Sequence, residues 1–271
     1  VPSPGPATIG YGGNTSCLEV ITATGARYIF DAGSGIRPLG QRIGVVDADL
    51  FLTHFHWDHI QGLPFFMPLY NPESRLRVHG AKQGDTDIQT LIAGQMGPVY
   101  FPIPFQAVSA DLRFHHLDGE PWQDGSACVR SMRVRHPGFT HGYRIESGGA
   151  SIGYFPDNEL VGGHYPLDQR QTYAELVDFL GGVDLLIHDA MFTETEYSLH
   201  QGWGHSTFTQ AVELAQNAGA GKLLLFHHAP ERTDAELTRI LEGLRDDIAR
   251  RGSTLEVGVA AEGEELLVGG I

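Results

Sequence analysis

Apolar residues in this chain cluster in short runs bounded by Gly, Pro, Asp or Ser, the pattern of strands joined by tight turns. CLEVITA (17–23) and RYIFDAG (27–33) are β-rich and are joined by Thr24-Gly25, which predicts a hairpin. ADLFLT (48–53) suits a buried strand, and 75–79 predicts the next one. Further strands are predicted at 112–117, 127–135, 142–146, 151–155, 183–188, 222–226, 254–257 and 265–268. Helical patterning covers 34–43, 85–93 with Asp85 as N-cap, and 171–180. It returns at 207–218, capped by Ser206, and at 233–250, capped by Thr233 or Asp234. GQMGPVYFPIPFQ (94–106) holds three prolines and three aromatics, so it predicts a loop, packed rather than exposed.

Both halves run from several strands into strand–helix units, with no linker or low-complexity tract between them. This predicts one α/β domain over 1–271, with helices covering packed sheets. Hydrophobic residues at 41% and charged residues at 19% exclude a disordered or fibrous chain. The 35 Gly and 15 Pro fit many turns. No apolar run approaches the roughly 20 residues of a membrane helix, and the opening VPSPGP has no secretory-signal pattern. Cys17 and Cys128 cannot build a disulfide framework, so free thiols in a reducing cytoplasm are expected.

Net charge is 18 − 33 = −15, and no stretch is rich in Lys or Arg. A nucleic-acid polymer is therefore disfavoured as a partner. A phosphate-bearing substrate would have to be held locally, by metal or a few donors. The 14 His residues are the compositional anomaly.

THFHWDH (53–59) supplies much of the answer. His54, His56, Asp58 and His59 follow directly after a buried strand. His54 and His56 are two apart, so an extended chain points them to one side. A turn at Asp58-His59 can aim the second pair at another ion. Imidazole and carboxylate suit borderline divalent ions such as zinc. The string offers at most four ligands, so others must lie downstream. His136, Asp157 and His227 follow the strands ending MRVR, SIGYF and KLLLF. His141 and His228 lie close enough to compete with His136 and His227. Asp31 ends a strand and can hold a ligand imidazole by hydrogen bond, or can simply serve a turn. His79, His115, His116, His164 and His200 are read as surface or partly buried.

THFHWDH matches the H-x-H-x-D-H signature of the metallo-β-lactamase-fold hydrolase superfamily, and the resemblance spans nearly the whole chain. GGNTSCLEV and FDAGSGIRPLG resemble its opening strands, and HPGFTHGYRIE, SIGYFPDNE and LLLFHHAP its later ligand segments. LLIHDAMF and GHST (204–207) resemble segments of the phosphodiesterase branch, which includes tRNase Z and cyclic-nucleotide phosphodiesterases. Asp189 stands where that branch usually has Glu.

The resemblance implies an αββα sandwich, two sheets packed face to face with helices outside. It implies one metal on His54, His56 and His136, a second on Asp58, His59 and His227, and Asp157 bridging them. Zinc is the first expectation, with manganese or iron admitted by the same ligands. His188 becomes a supporting residue and His228 a pocket residue. The expected enzyme is a dinuclear metal-dependent phosphodiesterase acting on a small, cyclic-nucleotide-like phosphodiester. A hydroxide bridging the metals would be the nucleophile, oriented by Asp58 and Asp157, and His205 paired with Asp189 would serve the leaving side. The alternatives are a tRNA 3′-processing-type endonuclease without the usual RNA-gripping arm, or a non-catalytic metal-binding member. A homodimer is also compatible with the resemblance, though no seam is legible.

Overall fold

The 18–30 segment forms the expected hairpin: β1 (Leu18–Ile21) pairs antiparallel with β2 (Arg27–Phe30). The structure is a computed structural model describing residues 1–163 and 173–269. It divides into two compact units, one of residues 1–2 and 14–120, the other of 3–13 and 121–271.

In the first unit, β3 (Asp47–Phe51), β4 (Arg75–Gly80) and β5 (Asp111–His116) extend the hairpin, each parallel to its neighbour, in the order β1-β2-β3-β4-β5. One sheet face carries Ile29, Ala48, Leu50, Leu76 and Val78. It packs on Ile36 and Leu39 of α1 (Ile36–Ile43) and on Ile88 and Ile92 of α3 (Ile88–Gln95); between these helices lies a single turn, α2 (Trp57–Ile60). On alternate positions, Phe30, Phe51, His79 and His115 stack across four registered strands, with centroids 5.3, 4.3 and 4.9 Å apart. His79 is thus fully buried rather than superficial, and its Nε2 donates to Asp49 at 2.7 Å.

The second unit holds β6 (Trp122–Gln123), β7 (Cys128–Arg133), β8 (His141–Ser147), β9 (Ala150–Phe155), β10 (Leu185–Asp189), β11 (Lys222–Phe226) and β12 (Glu256–Val259), ordered β12-β11-β10-β9-β8-β7-β6. Pairing is antiparallel from β6 to β9 and parallel from β9 to β12. The helices are α4 (Tyr173–Phe179), α5 (Glu194–His200), α6 (Phe208–Asn217) and α7 (Asp234–Arg250). Leu186, Leu223, Leu225 and Val257 of the sheet share a core with Ala211 and Leu214 of α6 and with Leu237, Leu241 and Ile248 of α7. Parallel pairing sets the carboxyl ends of β9, β10 and β11 side by side, where open α/β sheets bind ligands. Asp157, Asp189 and His227 all sit at that edge.

The α/β class is as expected, with local differences. Asp87, not Asp85, caps α3, accepting the Thr90 N–H at 2.7 Å. Thr207, not Ser206, caps α6, because the Ser206 hydroxyl is engaged elsewhere. The 265–268 segment forms no strand, since it gains no ladder partner among the described residues. The 98–104 stretch is largely exposed rather than packed; Val99 is 86% and Tyr100 72% accessible. His164 and the start of the 171–180 helix lie outside the described residues.

Candidate metal centre

The first unit gathers His54, His56, Asp58 and His59 where β3 ends. The chain leaves the strand, extends through His56, and enters α2 with His56 at the N-cap. The ring centroid of His54 lies 4.4 Å from His56 and 4.2 Å from His59. Behind them, Asp31 is fully buried at φ 61°. Its carboxylate accepts the Thr53 N–H at 2.8 Å, the Thr53 hydroxyl at 2.9 Å and His59 Nδ1–H at 2.8 Å. With the Thr53 hydroxyl proton spent on Asp31, Thr53 Oγ1 accepts from His54 Nδ1 at 3.0 Å. Both imidazoles therefore present Nε2 forward, the arrangement that orients metal-ligating histidines. His59 Nε2 stands 3.7 Å from Asp58 Oδ2. The glycines of FDAGSG serve close packing: a Cβ on Gly33 would meet the Asp58 carbonyl oxygen at 2.2 Å.

The second unit gathers His136, Asp157, His205 and His227. Asp157 is buried, and its two oxygens face two different imidazoles: Oδ2 lies 3.5 Å from His136 Nε2, Oδ1 3.5 Å from His227 Nε2. That is longer than an ordinary hydrogen bond. It matches two ligands of one tetrahedral zinc, which at about 2.1 Å from the ion stand about 3.4 Å apart. The donor set thus fits divalent cations. His227 holds φ 56°, and Asp31 behind His59 holds φ 61°; these are the non-glycine residues with positive φ among the described residues.

GHST has a structural task at every position. The Gly204 carbonyl accepts His136 Nδ1–H at 2.8 Å, leaving Nε2 for Asp157. His205 Nδ1 donates to Asp189 Oδ2 at 2.7 Å. The Ser206 hydroxyl donates to the Asn158 carbonyl at 2.5 Å and accepts the Leu160 N–H at 3.1 Å. Thr207 caps α6. Asp189 is fully buried and takes three backbone N–H groups besides His205: Asn158 at 3.1 Å, Met191 at 3.1 Å and Ser206 at 3.3 Å. The shorter acid therefore still reaches His205. A ligand atom of His205 also lies within 4.8 Å of ligand atoms of Asp157 and His227.

The remaining candidates fall outside these clusters. His141 opens β8 opposite Arg133, with its pKa held down to about 4, chiefly by burial. His228 turns to the backbone, Nε2 donating to the Leu225 carbonyl at 3.0 Å. His188 is buried behind Asp189, between the Asp189 carbonyl (2.7 Å) and Asn158 (3.2 Å).

Glu159 escaped the sequence reading. It is fully buried and accepts the backbone N–H groups of Gly202, just before the GHST segment, and of Gly204, its first residue. Nothing local marks it, because its partners lie some forty residues away.

A family model described as the beta-lactamase superfamily domain matches residues 26–228. Ribonuclease Z of Limosilactobacillus fermentum is 27% identical, over 66% of this chain and 68% of its own. Among solved structures, the metallo-beta-lactamase fold protein YhfI from Bacillus subtilis aligns at TM-score 0.64 and 20% identity, covering 95% of this chain and 96% of that one. The short form of human tRNase Z aligns at 0.63 and 18%, covering 99% and 97%. Both structural likenesses are likenesses of fold.

Proposed function

The chain belongs to the metallo-β-lactamase-fold hydrolase superfamily, and on that premise we propose that it is a metal-dependent phosphodiesterase acting on a small phosphodiester. His54, His56 and His136 would hold one divalent cation, Asp58, His59 and His227 a second, and Asp157 would serve both. Zinc suits this imidazole-rich set, which also accepts manganese or iron. The observation that carries the reading is the Asp157 carboxylate, with each oxygen 3.5 Å from a different imidazole Nε2. When bound, such cations supply Lewis acidity, activating water near neutral pH and neutralising phosphate oxygens.

The chain's own groups supply the rest. Asp189 fixes the His205 tautomer and stabilises its protonated ring, so Nε2 is the atom that gives a proton to the leaving oxygen. On the family resemblance, Asp58 and Asp157 would accept hydrogen bonds from the attacking water and aim it.

A net charge of −15 and the lack of a Lys/Arg-rich stretch favour a small substrate, such as a cyclic nucleotide, over tRNA. The likeness to Ribonuclease Z favours a second reading, a tRNA 3′-processing-type endonuclease. Turnover of the zinc-loaded chain on cyclic nucleotides, bis(p-nitrophenyl) phosphate and precursor tRNA separates them. The proposal expects the small diesters to turn over and precursor tRNA to remain intact. Specific cleavage of precursor tRNA alone would establish the second reading. Bound metal without turnover on any of the three would make the chain a metal-binding protein without this activity.

A further inference from the structure

We propose that Glu159 is a positioning residue for the metal centre: its carboxylate clamps the 202–204 turn and so fixes the carbonyl that orients His136. This rests on the metal-dependent reading above. Glu159 lies two residues beyond Asp157 and has no exposed surface. Its Oε1 accepts the Gly202 N–H at 2.9 Å and the Tyr197 hydroxyl at 2.6 Å. Its Oε2 accepts the Gly202 N–H at 3.1 Å and the Gly204 N–H at 3.1 Å. The Glu159 backbone N–H donates to the Arg135 carbonyl at 2.8 Å, immediately before His136. One residue thus grips both the backbone leading into His136 and the turn whose Gly204 carbonyl holds the His136 ring.

The physical logic is that of an outer support around a metal ligand. Burying a carboxylate is costly unless its oxygens are satisfied, and here backbone donors from a functional turn satisfy them. Burial, reinforced by the neighbouring Glu159, pushes the Tyr197 hydroxyl's pKa up, which keeps that hydroxyl a donor. The turn lies directly against the ring it orients, since a Cβ on Gly204 would stand 2.1 Å from His136 Nδ1. Losing the clamp frees the Gly204 carbonyl, and with it the His136 ring.

The test loads the full chain with zinc and measures its loss to a competing chelator, beside thermal unfolding. Glu159→Ala should weaken zinc affinity about 10–100-fold, the usual cost of removing an outer-shell partner. Glu159→Gln can keep the Oε2 contacts to both glycine N–H groups but sets its amide nitrogen against the second Gly202 contact, so it should lose less affinity than Glu159→Ala. Leu241→Ala opens a cavity in the α7 core and should lower thermal stability without moving zinc affinity. Wild-type affinity in Glu159→Ala, or an equal zinc loss in Leu241→Ala, overturns the proposal. A wild-type chain that takes up no zinc overturns the metal reading itself, and this inference with it.

Discussion

Asp31 accepts a hydrogen bond from His59 Nδ1–H at 2.8 Å with both side chains wholly buried, and the same carboxylate holds Thr53, which holds His54. One carboxylate therefore sets the direction of two candidate ligands. Asp31→Asn tests this with little backbone cost, because asparagine tolerates the φ of 61°. Its amide nitrogen must oppose either His59 Nδ1–H or the Thr53 N–H. Zinc affinity should fall about 10–100-fold while the chain stays folded. Unchanged affinity in a chelator competition would remove Asp31 from the site.

One variant tests the proton-donor role of His205. As proton donor, His205→Ala should lose about 100-fold or more in turnover on a chromogenic phosphodiester and keep its zinc. As a third ligand beside Asp157 and His227, which its placement allows, the same variant should lose zinc along with turnover. Metal analysis of the purified variant reads the difference directly.

The strands that end in His or Asp were legible because apolar runs, turn residues and ligand types coincide in them: ADLFLT before His54, SIGYF before Asp157, KLLLF before His227. Caps were displaced by one or two residues where several capping residues adjoin, as in Asp85-Thr86-Asp87 and Ser206-Thr207. Composition cannot choose among such neighbours, because tertiary hydrogen bonds decide. The α5 helix went unread although Thr193 and Glu196 form a capping box, a signal the sequence does contain. Asp31 could be placed at a strand end, but its partner could not be named. Glu159 was invisible, since a lone acid in a turn-rich segment reads as solvated until the fold brings residues 197–204 to it.

His141 should make the chain acid-labile in a defined window. Burial, reinforced by the Arg133 charge, holds its pKa down to about 4 in the folded chain, against roughly 6.5 when unfolded. Above pH 6.5 it is neutral in both states and exerts no pH-dependent effect. As pH falls from 6.5 toward 4, the unfolded chain takes up the proton and the folded chain resists it, so stability is lost across that interval. After allowance for its partial exposure, the loss is on the order of 2 kcal/mol. Urea unfolding at pH 7, 5.5 and 4 should show a shallower acid decline for His141→Gln than for wild type. Parallel declines would show that His141 does not contribute.

Gly202 and Gly204 offer a matched pair, since both have positive φ, 86° and 94°, and both donate to Glu159. An alanine at either position keeps its N–H and incurs a backbone cost of about 1 kcal/mol. The surroundings differ: a Cβ at 202 meets nothing within 4 Å, whereas at 204 it would lie 2.1 Å from His136 Nδ1 and 2.8 Å from Pro137 Cδ. Gly202→Ala should therefore lower the unfolding midpoint slightly and leave zinc affinity unchanged. Gly204→Ala must push the His136 ring aside, so it should lose zinc affinity as well as stability. Equal zinc affinity in the two variants would show that His136 accommodates the methyl group, and that the fit of Gly204 against its ring does not govern metal binding.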